Sequence, residues 1–347
     1  MTPDVRDEIR RPAAGPVQGP ADGGISRTAI GEGEWGRALR LIHEADEVAL
    51  ACHISPDGDA LGSMLAAAKA LTAMGKRVVA SFGDRRFVVP RLLRFLPALD
   101  LLTVPSAFPA EPDLMITFDA STLERLGVLA ATAGKAREVI VVDHHASNQG
   151  FGTVSLIDPG VAATAVLAEE LIRRLGQPLD RDMATLLYVG LSTDTGQFRH
   201  SSTTPAAHQM AARLVAAGLR TDEIARELWD RSPFAYLKVL AAALERVVLE
   251  DGLVWTYISH ADRAAYGLPY DEIEGVIDVI RRTDEADVAV VLKQDDDGAW
   301  QVSARSKGGA DVGAISTALG GGGHCYAAGF TSHDSVEETM ARFKEML

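Results

Sequence analysis

Residues 47–63 read EVALACHISPDGDALGS, and this stretch carries the pattern that decides the fold. Its apolar start predicts a buried strand over Glu47–His53, and the small and apolar residues after Asp59 predict a helix over Ala60–Met74. A strand followed directly by a helix is the repeating unit of a parallel sheet covered by helices. The polar turn between them lies at the carboxyl end of the strand, where sites form in such sheets.

The same alternation continues downstream. Three further runs predict strands and one predicts a helix: Arg77–Phe82, Leu114–Phe118 and Glu138–Val142, then Ala162–Leu175. The pattern is typical of the α/β class and predicts a mostly parallel sheet for residues 31–220. Residues 1–30 hold prolines and glycines without periodicity and are predicted to be a disordered tail.

A second pattern follows a run of helix-like segments. Asp222–Trp229 and Ala235–Leu249 predict helices, and we assign residues 221–235 to a connector between domains. Beyond it the sequence predicts strand Leu253–Ser259, helix Asp271–Arg281, and a hairpin that pairs Asp287–Gln294 with Ala299–Arg305. Residues 236–347 are therefore predicted to form a smaller, separately cored α/β domain.

The charge balance limits the class of substrate. Lys and Arg total 34 against 48 Asp and Glu, and 34 − 48 gives a net charge of −14. Such a surface argues against binding of long nucleic acid, which requires extended basic patches. The charge balance favours a small anionic substrate, which metal ions and a few cationic groups can bind locally.

The sequence also indicates a compartment. No apolar run is long enough to cross a bilayer, and the first thirty residues lack a signal-peptide core, so no membrane association is expected. Cys52 and Cys325 are far apart and suggest neither a disulfide framework nor a zinc site. We therefore predict a cytoplasmic protein.

Acidic and histidine side chains follow the predicted strands and one further helix. His53, Asp57 and Asp59 occupy the first turn, which by itself equally suits a solvated turn that caps a helix. The others come after a predicted strand or at the end of the helix-like run Ala184–Leu191: Asp119, Asp143, His144, His145 and Asp194. Converging aspartates repel one another unless cations neutralise them. Two divalent ions are therefore predicted, and mixed imidazole and carboxylate ligands favour Mn²⁺.

These motifs, in this order, resemble those of the DHH phosphoesterase family over about residues 45–200. The resemblance implies two sets of metal ligands that share Asp119: His53, Asp57 and Asp119 for one ion, and Asp59, Asp119, His144 and Asp194 for the other. It further implies catalytic roles for two residues. Asp143 would be a ligand or an acid that supports the histidines, and His145 would contact the scissile phosphate.

A glycine-rich motif marks the second domain. Gly320–Gly323 follow a helix-like run over Val312–Leu319, and such a turn can bind an anion through successive N–H groups or simply end a helix. Arg305 can donate two hydrogen bonds to a phosphate. Together with residues 324–329, these segments resemble the DHHA1 domain that accompanies DHH domains. The resemblance implies substrate recognition across a cleft between the domains, through Arg305, Gly321, Gly322, Gly323 and His324, with His324 on phosphate or base.

The resemblance to this family also implies an activity. A compact DHH and DHHA1 pair indicates the oligoribonuclease type, which releases mononucleotides from very short RNA and dephosphorylates 3′-phosphoadenosine 5′-phosphate. Linear and cyclic dinucleotides, such as cyclic di-AMP, are alternative substrates, and a homodimer is compatible with the sequence. A rival of another class is a catalytically silent nucleotide-sensing module, which would have lost its metal ligands. No such substitution is found at the ligand positions.

Overall fold

The computed structural model describes residues 29–347, so the tail predicted for residues 1–30 lies almost entirely outside the described residues. The described chain divides into two compact units. The first comprises residues 29–54, 58–85 and 100–219, and the second comprises residues 55–57, 86–99 and 220–347.

A five-stranded sheet forms the centre of the first unit. Its strands are β1 (Glu47–Cys52), β2 (Arg77–Phe82), β3 (Leu114–Phe118), β4 (Glu138–Asp143) and β5 (Val154–Ile157). They lie in the order β2-β1-β3-β4-β5, and every neighbouring pair is parallel. The predicted α/β class with a mostly parallel sheet is confirmed, although the sequence did not reveal β5.

Helices pack around this sheet. They are α1 (Glu32–Glu44), α2 (Gly58–Ala73), α3 (Ala130–Ala133), α4 (Thr164–Arg174), α5 (Arg181–Asp194) and α6 (Pro205–Ala216), with a 3₁₀ segment over Leu123–Leu129. Helix α2 is buried along nearly its whole length. A Cβ at Gly62 would lie only 2.3 Å from the carbonyl oxygen of Leu186, so glycine is what allows α2 and α5 to approach this closely.

A six-stranded mixed sheet forms the centre of the second unit. Its strands are β6 (Val248–Glu250), β7 (Leu253–Ile258), β8 (Val288–Gln294), β9 (Trp300–Ser306), β10 (Gly322–His324) and β11 (Ala327–Ser332). Their order is β10-β11-β9-β8-β7-β6, in which only β7 and β8 pair in parallel. The predicted pairing of the two strands across Asp295–Gly298 is confirmed.

Helices cover both faces of this second sheet. The helices of this unit are α7 (Thr221–Leu228), α8 (Phe234–Glu245), α9 (His260–Ala264), α10 (Val276–Ile280), α11 (Val312–Ala318) and α12 (Val336–Lys344), of which α8, α10, α11 and α12 pack on the sheet. Alternate residues of β8 serve two cores: Val288 and Val290 pack with α11 and α12, whereas Ala289 and Val291 pack with α8 and α10. Within residues 29–347, none of the helices has the length and apolar character that a bilayer-spanning segment needs.

Two helix predictions were wrong in extent. The helix expected over Ala235–Leu249 ends at Glu245, because Val248–Glu250 pairs with β7 across a turn at Asp251 and Gly252 whose φ values are 45° and 79°. The helix expected over Asp271–Arg281 is reduced to Val276–Ile280 after a 3₁₀ turn at Tyr270–Glu272. The predicted limits of the connector, 221 and 235, remain a prediction.

Candidate metal centre

Three adjacent strands of the first sheet carry site residues at their carboxyl ends. His53 directly follows β1, Asp119 directly follows β3, and Asp143 ends β4. Because the strands are parallel, their carboxyl ends lie side by side, as is typical of sites in α/β proteins. All three side chains are buried, and Asp143 is wholly inaccessible to solvent. Acidic side chains this deeply buried require charged or hydrogen-bonding partners.

Two helices bring further carboxylates to the same edge. Asp59 lies in the first turn of α2, and Asp194 is the last residue of α5. A Cβ at Gly190 would lie 2.7 Å from Asp59 Oδ1, so the absence of a side chain there allows α5 to pass beside this carboxylate. The close packing of α2 on α5 thus brings residues 135 positions apart in the sequence into one cluster.

Side chains that belong to the first unit alone form two groups with the spacing of metal ligands. Asp59, His144 and Asp194 each offer a ligand atom, and these atoms lie within 4.8 Å of one another. Asp119, Asp143 and His145 form a second such group. His53 Nε2 lies 3.4 Å from Asp119 Oδ2, and His144 Nε2 lies 3.6 Å from Asp119 Oδ1. His145 Nδ1 also lies 3.6 Å from Asp119 Oδ1, so imidazoles lie near both oxygens of Asp119: His53 at Oδ2, and His144 and His145 at Oδ1.

The charges in this cluster favour the binding of cations. Burial disfavours a charged imidazole at His144, but the carboxylate of Asp194, whose Oδ2 lies 3.1 Å from His144 Nε2, and the charges of Asp59 and Asp119 raise its pKa to about 10. Burial also disfavours ionisation of Asp119, yet the hydrogen bond and charge of His53 lower its pKa well below the usual value. The same field that draws a proton to His144 attracts divalent ions. Oxygen and imidazole donors without a thiolate suit such ions.

Asp119 has an unusual backbone conformation. Its φ is +55°, in the left-handed region that most side chains avoid. Aspartate and asparagine tolerate this region better than other residues with a side chain. A conformation of this kind persists where the surrounding structure holds it in place, and functional sites are where it is often found.

Asp143 is positioned to orient the imidazole of His145. Its Oδ1 lies 2.7 Å from His145 Nδ1 and accepts a 2.9 Å hydrogen bond from the backbone N–H of His144. Its Oδ2 accepts a 2.6 Å hydrogen bond from Asn148 Nδ2. A proton on His145 Nδ1 directs Nε2 away from Asp143 for contact with another group.

Two polar residues that were not predicted from the sequence hold the aspartates in place. Thr164, at the start of α4, donates from its hydroxyl to Asp119 Oδ1 at 2.9 Å and from its backbone N–H to Asp59 Oδ2 at 2.6 Å. Asn148 binds Asp143 and also donates to the carbonyl of Ala120 at 3.0 Å. A threonine at a helix start is a weak signal for Thr164. No signal in the sequence marks Asn148.

The remaining predicted ligand, Asp57, lies in the loop between β1 and α2. Residues 55–57 are grouped with the second unit, whereas Asp59 and His53 belong to the first. Its participation with His53 and Asp119 therefore remains a prediction. The structure brings the other seven predicted residues of this centre together: His53, Asp59, Asp119, Asp143, His144, His145 and Asp194.

In the second unit, Arg305 lies on β9 between Ala289 of β8 and Ala327 of β11. Its guanidinium is half-buried, donates to the carbonyl of Ala304 at 2.9 Å, and has no ion pair with a carboxylate among residues 29–347. Burial lowers the pKa of Arg305. A guanidinium that is partly removed from water without an anionic partner has unused donors for an anion.

The glycine-rich segment differs from the expected turn. Gly322, Gly323 and His324 form strand β10 and pair with β11. The N–H groups of Gly320 and Gly321 donate to the carbonyls of Thr317 and Ser316, which closes the end of α11. These glycines therefore do not form a turn whose successive free N–H groups could bind an anion. The predicted contacts of Gly321, Gly322, Gly323 and His324 with substrate remain predictions.

Comparison with known proteins gives consistent results for both parts of the chain. The N-terminal domain of the DHH family matches residues 47–191, and the DHHA1 domain matches residues 254–347. The bifunctional oligoribonuclease and PAP phosphatase NrnA of Thermus thermophilus is 33% identical over 299 residues, which cover 84% of this chain and 88% of that protein.

Two more distant proteins complete the comparison. The cyclic-di-AMP phosphodiesterase GdpP of Geobacillus thermodenitrificans is 27% identical over 89% of this chain, but the match covers only 48% of that longer protein. An exopolyphosphatase-related protein from Bacteroides fragilis has the same fold, with a TM-score of 0.84, 21% identity, and coverage of 92% of this chain and 96% of that one. The chain therefore belongs to the DHH family of metal-dependent phosphoesterases, with a DHH domain followed by a DHHA1 domain.

Proposed function

We propose that this protein hydrolyses very short RNA to mononucleotides and dephosphorylates 3′-phosphoadenosine 5′-phosphate. The observation that carries the proposal is the placement of Asp119 between His53 and His144, with Asp59 and Asp194 beside it. A carboxylate with an imidazole on each oxygen suits a bridge between two ions. The similarity to the Thermus thermophilus oligoribonuclease over most of both chains supports the choice of substrate.

Two divalent ions fit this centre, with Mn²⁺ as the proposed metal. His53, Asp57 and Asp119 would hold one ion, and Asp59, Asp119, His144 and Asp194 would hold the other. When bound, the ions supply charge that polarises the scissile phosphate and stabilises its oxygens in the transition state. Mixed carboxylate and imidazole donors suit Mn²⁺ better than Ca²⁺, which takes oxygen ligands.

The chain's own residues act on the phosphate ester. Asp143 holds the His145 imidazole by its Nδ1–H, and a second proton, on Nε2, makes the imidazolium that would contact the scissile phosphate and pass that proton to the departing oxygen. Asn148 fixes the second oxygen of Asp143 and thereby the direction of the carboxylate. Thr164 fixes Asp119 and Asp59 in the same way.

Arg305 is proposed to bind a terminal phosphate of the substrate. Replacing Arg305 with Ala should raise KM for 5′-phosphorylated dinucleotides by about tenfold or more, because a charge-assisted hydrogen bond contributes about 1.5–3 kcal/mol. The Mn²⁺ content should not change, since Arg305 is not among the metal ligands. Steady-state kinetics and metal analysis of Arg305→Ala check both statements.

The matched control is Arg342→Ala, which removes an exposed arginine of the same unit that pairs with Asp334. It should leave KM and metal content unchanged. Loss of metal from Arg305→Ala, or a KM equal to that of Arg342→Ala, would contradict the proposed phosphate contact.

We expect kcat/KM to depend on the length of the RNA substrate. With a net charge of −14, the protein gains little counterion release from a long RNA and repels phosphates beyond the site. We expect kcat/KM to be highest for RNA of about two to five nucleotides. Hydrolysis of a ladder of 5′-phosphorylated RNA, from dinucleotides to about 24 nucleotides, measures this at one ionic strength with Mn²⁺ present. Equal or faster hydrolysis of the longest RNA would point to a processive exonuclease.

The same assay separates the alternatives. Cyclic di-AMP and its linear dinucleotide are included as substrates because the Geobacillus thermodenitrificans relative is a cyclic-di-AMP phosphodiesterase. Nucleotide binding without hydrolysis of any substrate would identify a sensing module instead. A cytoplasmic location and a homodimer are proposed from the sequence, and size-exclusion chromatography with light scattering tests the second.

A further inference from the structure

The guanidinium of Arg125 lies beside the candidate metal centre but belongs to neither group of ligands. Arg125 is part of the 3₁₀ segment that follows β3, and its Nη2 lies 3.1 Å from His53 Nδ1. The residue is exposed, so a molecule in solution can reach it. A cation at the rim of a cluster of buried aspartates is a candidate contact for an anionic substrate.

The backbone around Arg125 is fixed to the end of β1. Its carbonyl accepts a 2.8 Å hydrogen bond from the backbone N–H of Ile54. Gly127 has φ +57°, and a Cβ there would lie 2.4 Å from both the Gly83 carbonyl oxygen and Ile54 Cγ2. Only glycine allows this approach, and it holds the segment tightly against the strand end. The base of the Arg125 side chain is therefore positioned relative to His53.

The hydrogen bonds of His53 leave the donors of Arg125 available. His53 Nδ1 lies 2.7 Å from the carbonyl oxygen of Ile54, which can only accept, so this nitrogen carries a proton when that bond forms. His53 Nε2 then faces Asp119 Oδ2 at 3.4 Å, as a metal ligand would. Nδ1 therefore engages at most one N–H of the Arg125 guanidinium, and the other N–H groups stay available to an anion.

Arg125 also lacks the partners of other arginines in its unit. Arg173 and Arg174 bind Glu170, and Arg213 binds Glu169. Within residues 29–347, Arg125 forms no ion pair with a carboxylate, although Asp119 lies on the other side of the His53 ring. A guanidinium with this many unused donors matches the oxygens of a phosphate.

We propose that Arg125 is a substrate-contacting residue that binds a phosphate of the short RNA or nucleotide next to the metal centre. The proposal rests on the proposed function. The guanidinium would donate to phosphate oxygens and offset the repulsion between the substrate and the clustered aspartates. Its effect should therefore fall on substrate binding, while the metal ligands remain as they are.

The experiment compares Arg125→Gln, Arg125→Lys and Arg137→Gln with the wild-type chain. Arg137 is an exposed arginine of the same unit that pairs with Asp113, so it controls for loss of one surface charge. Three quantities are measured: kcat and KM for a 5′-phosphorylated dinucleotide with Mn²⁺, the affinity of AMP, and the Mn²⁺ affinity of metal-free protein by calorimetry. AMP binding reports on the contact without requiring catalysis.

For Arg125→Gln we expect a loss of about tenfold or more in kcat/KM and in AMP affinity, with Mn²⁺ affinity within about twofold of wild type. Arg125→Lys should be intermediate, and Arg137→Gln should equal wild type. An equal AMP affinity of wild type and Arg125→Gln, including no binding to either, overturns the proposal. So does a parallel loss of Mn²⁺ affinity, which would show that Arg125 only supports His53. Failure of wild type to hydrolyse any substrate overturns the proposed function, and the AMP comparison still decides the role of Arg125.

Discussion

Replacing Asp119 with Asn is expected to reduce kcat/KM for a 5′-phosphorylated dinucleotide by about a thousandfold or more. Asp119 is the carboxylate between His53 and His144, so one substitution weakens the positions of both proposed ions. Asparagine is the most informative replacement because it keeps the shape of the side chain and tolerates the φ of +55° at this position. Steady-state kinetics and Mn²⁺ analysis of the purified variant provide the measurement.

The control for this change is Asp113→Asn. Asp113 is an exposed aspartate directly before β3 that pairs with Arg137, and its replacement should leave the kinetics unchanged. Circular dichroism should show that both variants fold. Near wild-type hydrolysis by folded Asp119→Asn would remove the bridging carboxylate from the mechanism.

Asp143→Asn is expected to lower kcat by about a hundredfold, the upper end of what loss of an orienting carboxylate typically costs. Asp143 Oδ1 contacts His145 Nδ1, and Oδ2 accepts from Asn148. An amide at this position must present its NH₂ group to one of these two donors, so one contact is lost. His145 then loses its orientation, or Asn148 is displaced. The pre-steady-state rate of dinucleotide cleavage measures the effect.

Asp180→Asn serves as the comparison for Asp143→Asn. Asp180 caps α5 by accepting from the N–H of Met183, outside the candidate centre, and its replacement should affect stability without changing kcat. A thermal melt shows whether either variant has lost structure. If Asp143→Asn retained full kcat while losing stability, its role would be structural only.

The first sheet was predictable because buried parallel strands are continuous apolar runs. Leu114–Phe118 is predicted and observed with the same ends, and all its residues are buried. Strand β5 was not found because Val154–Ile157 is only four residues long and lies at the edge of the sheet. The helix over Asp271–Arg281 was predicted too long because an apolar period does not show where tertiary packing ends a helix.

The ligand types of the centre were predictable, but their mutual contacts were not. Aspartates and histidines after successive strands must meet at one edge of a parallel sheet. The hydrogen bond from Thr164 to Asp59 joins residues 105 positions apart, and only the packed fold determines it. The contact of Arg125 with His53 is likewise tertiary, across 72 positions. The sequence left open whether the glycine segment binds an anion or ends a helix, because composition does not show which N–H groups a neighbouring helix or strand uses.

The number of Mn²⁺ ions required for hydrolysis tests the central claim most directly. Metal-free protein is titrated with Mn²⁺ while binding and cleavage of a 5′-phosphorylated dinucleotide are followed together. We expect two ions to bind per chain, cleavage to appear as the second ion binds, and chelation to abolish it. Full cleavage in chelator-treated protein, or at one ion per chain, would contradict a two-metal centre at Asp119.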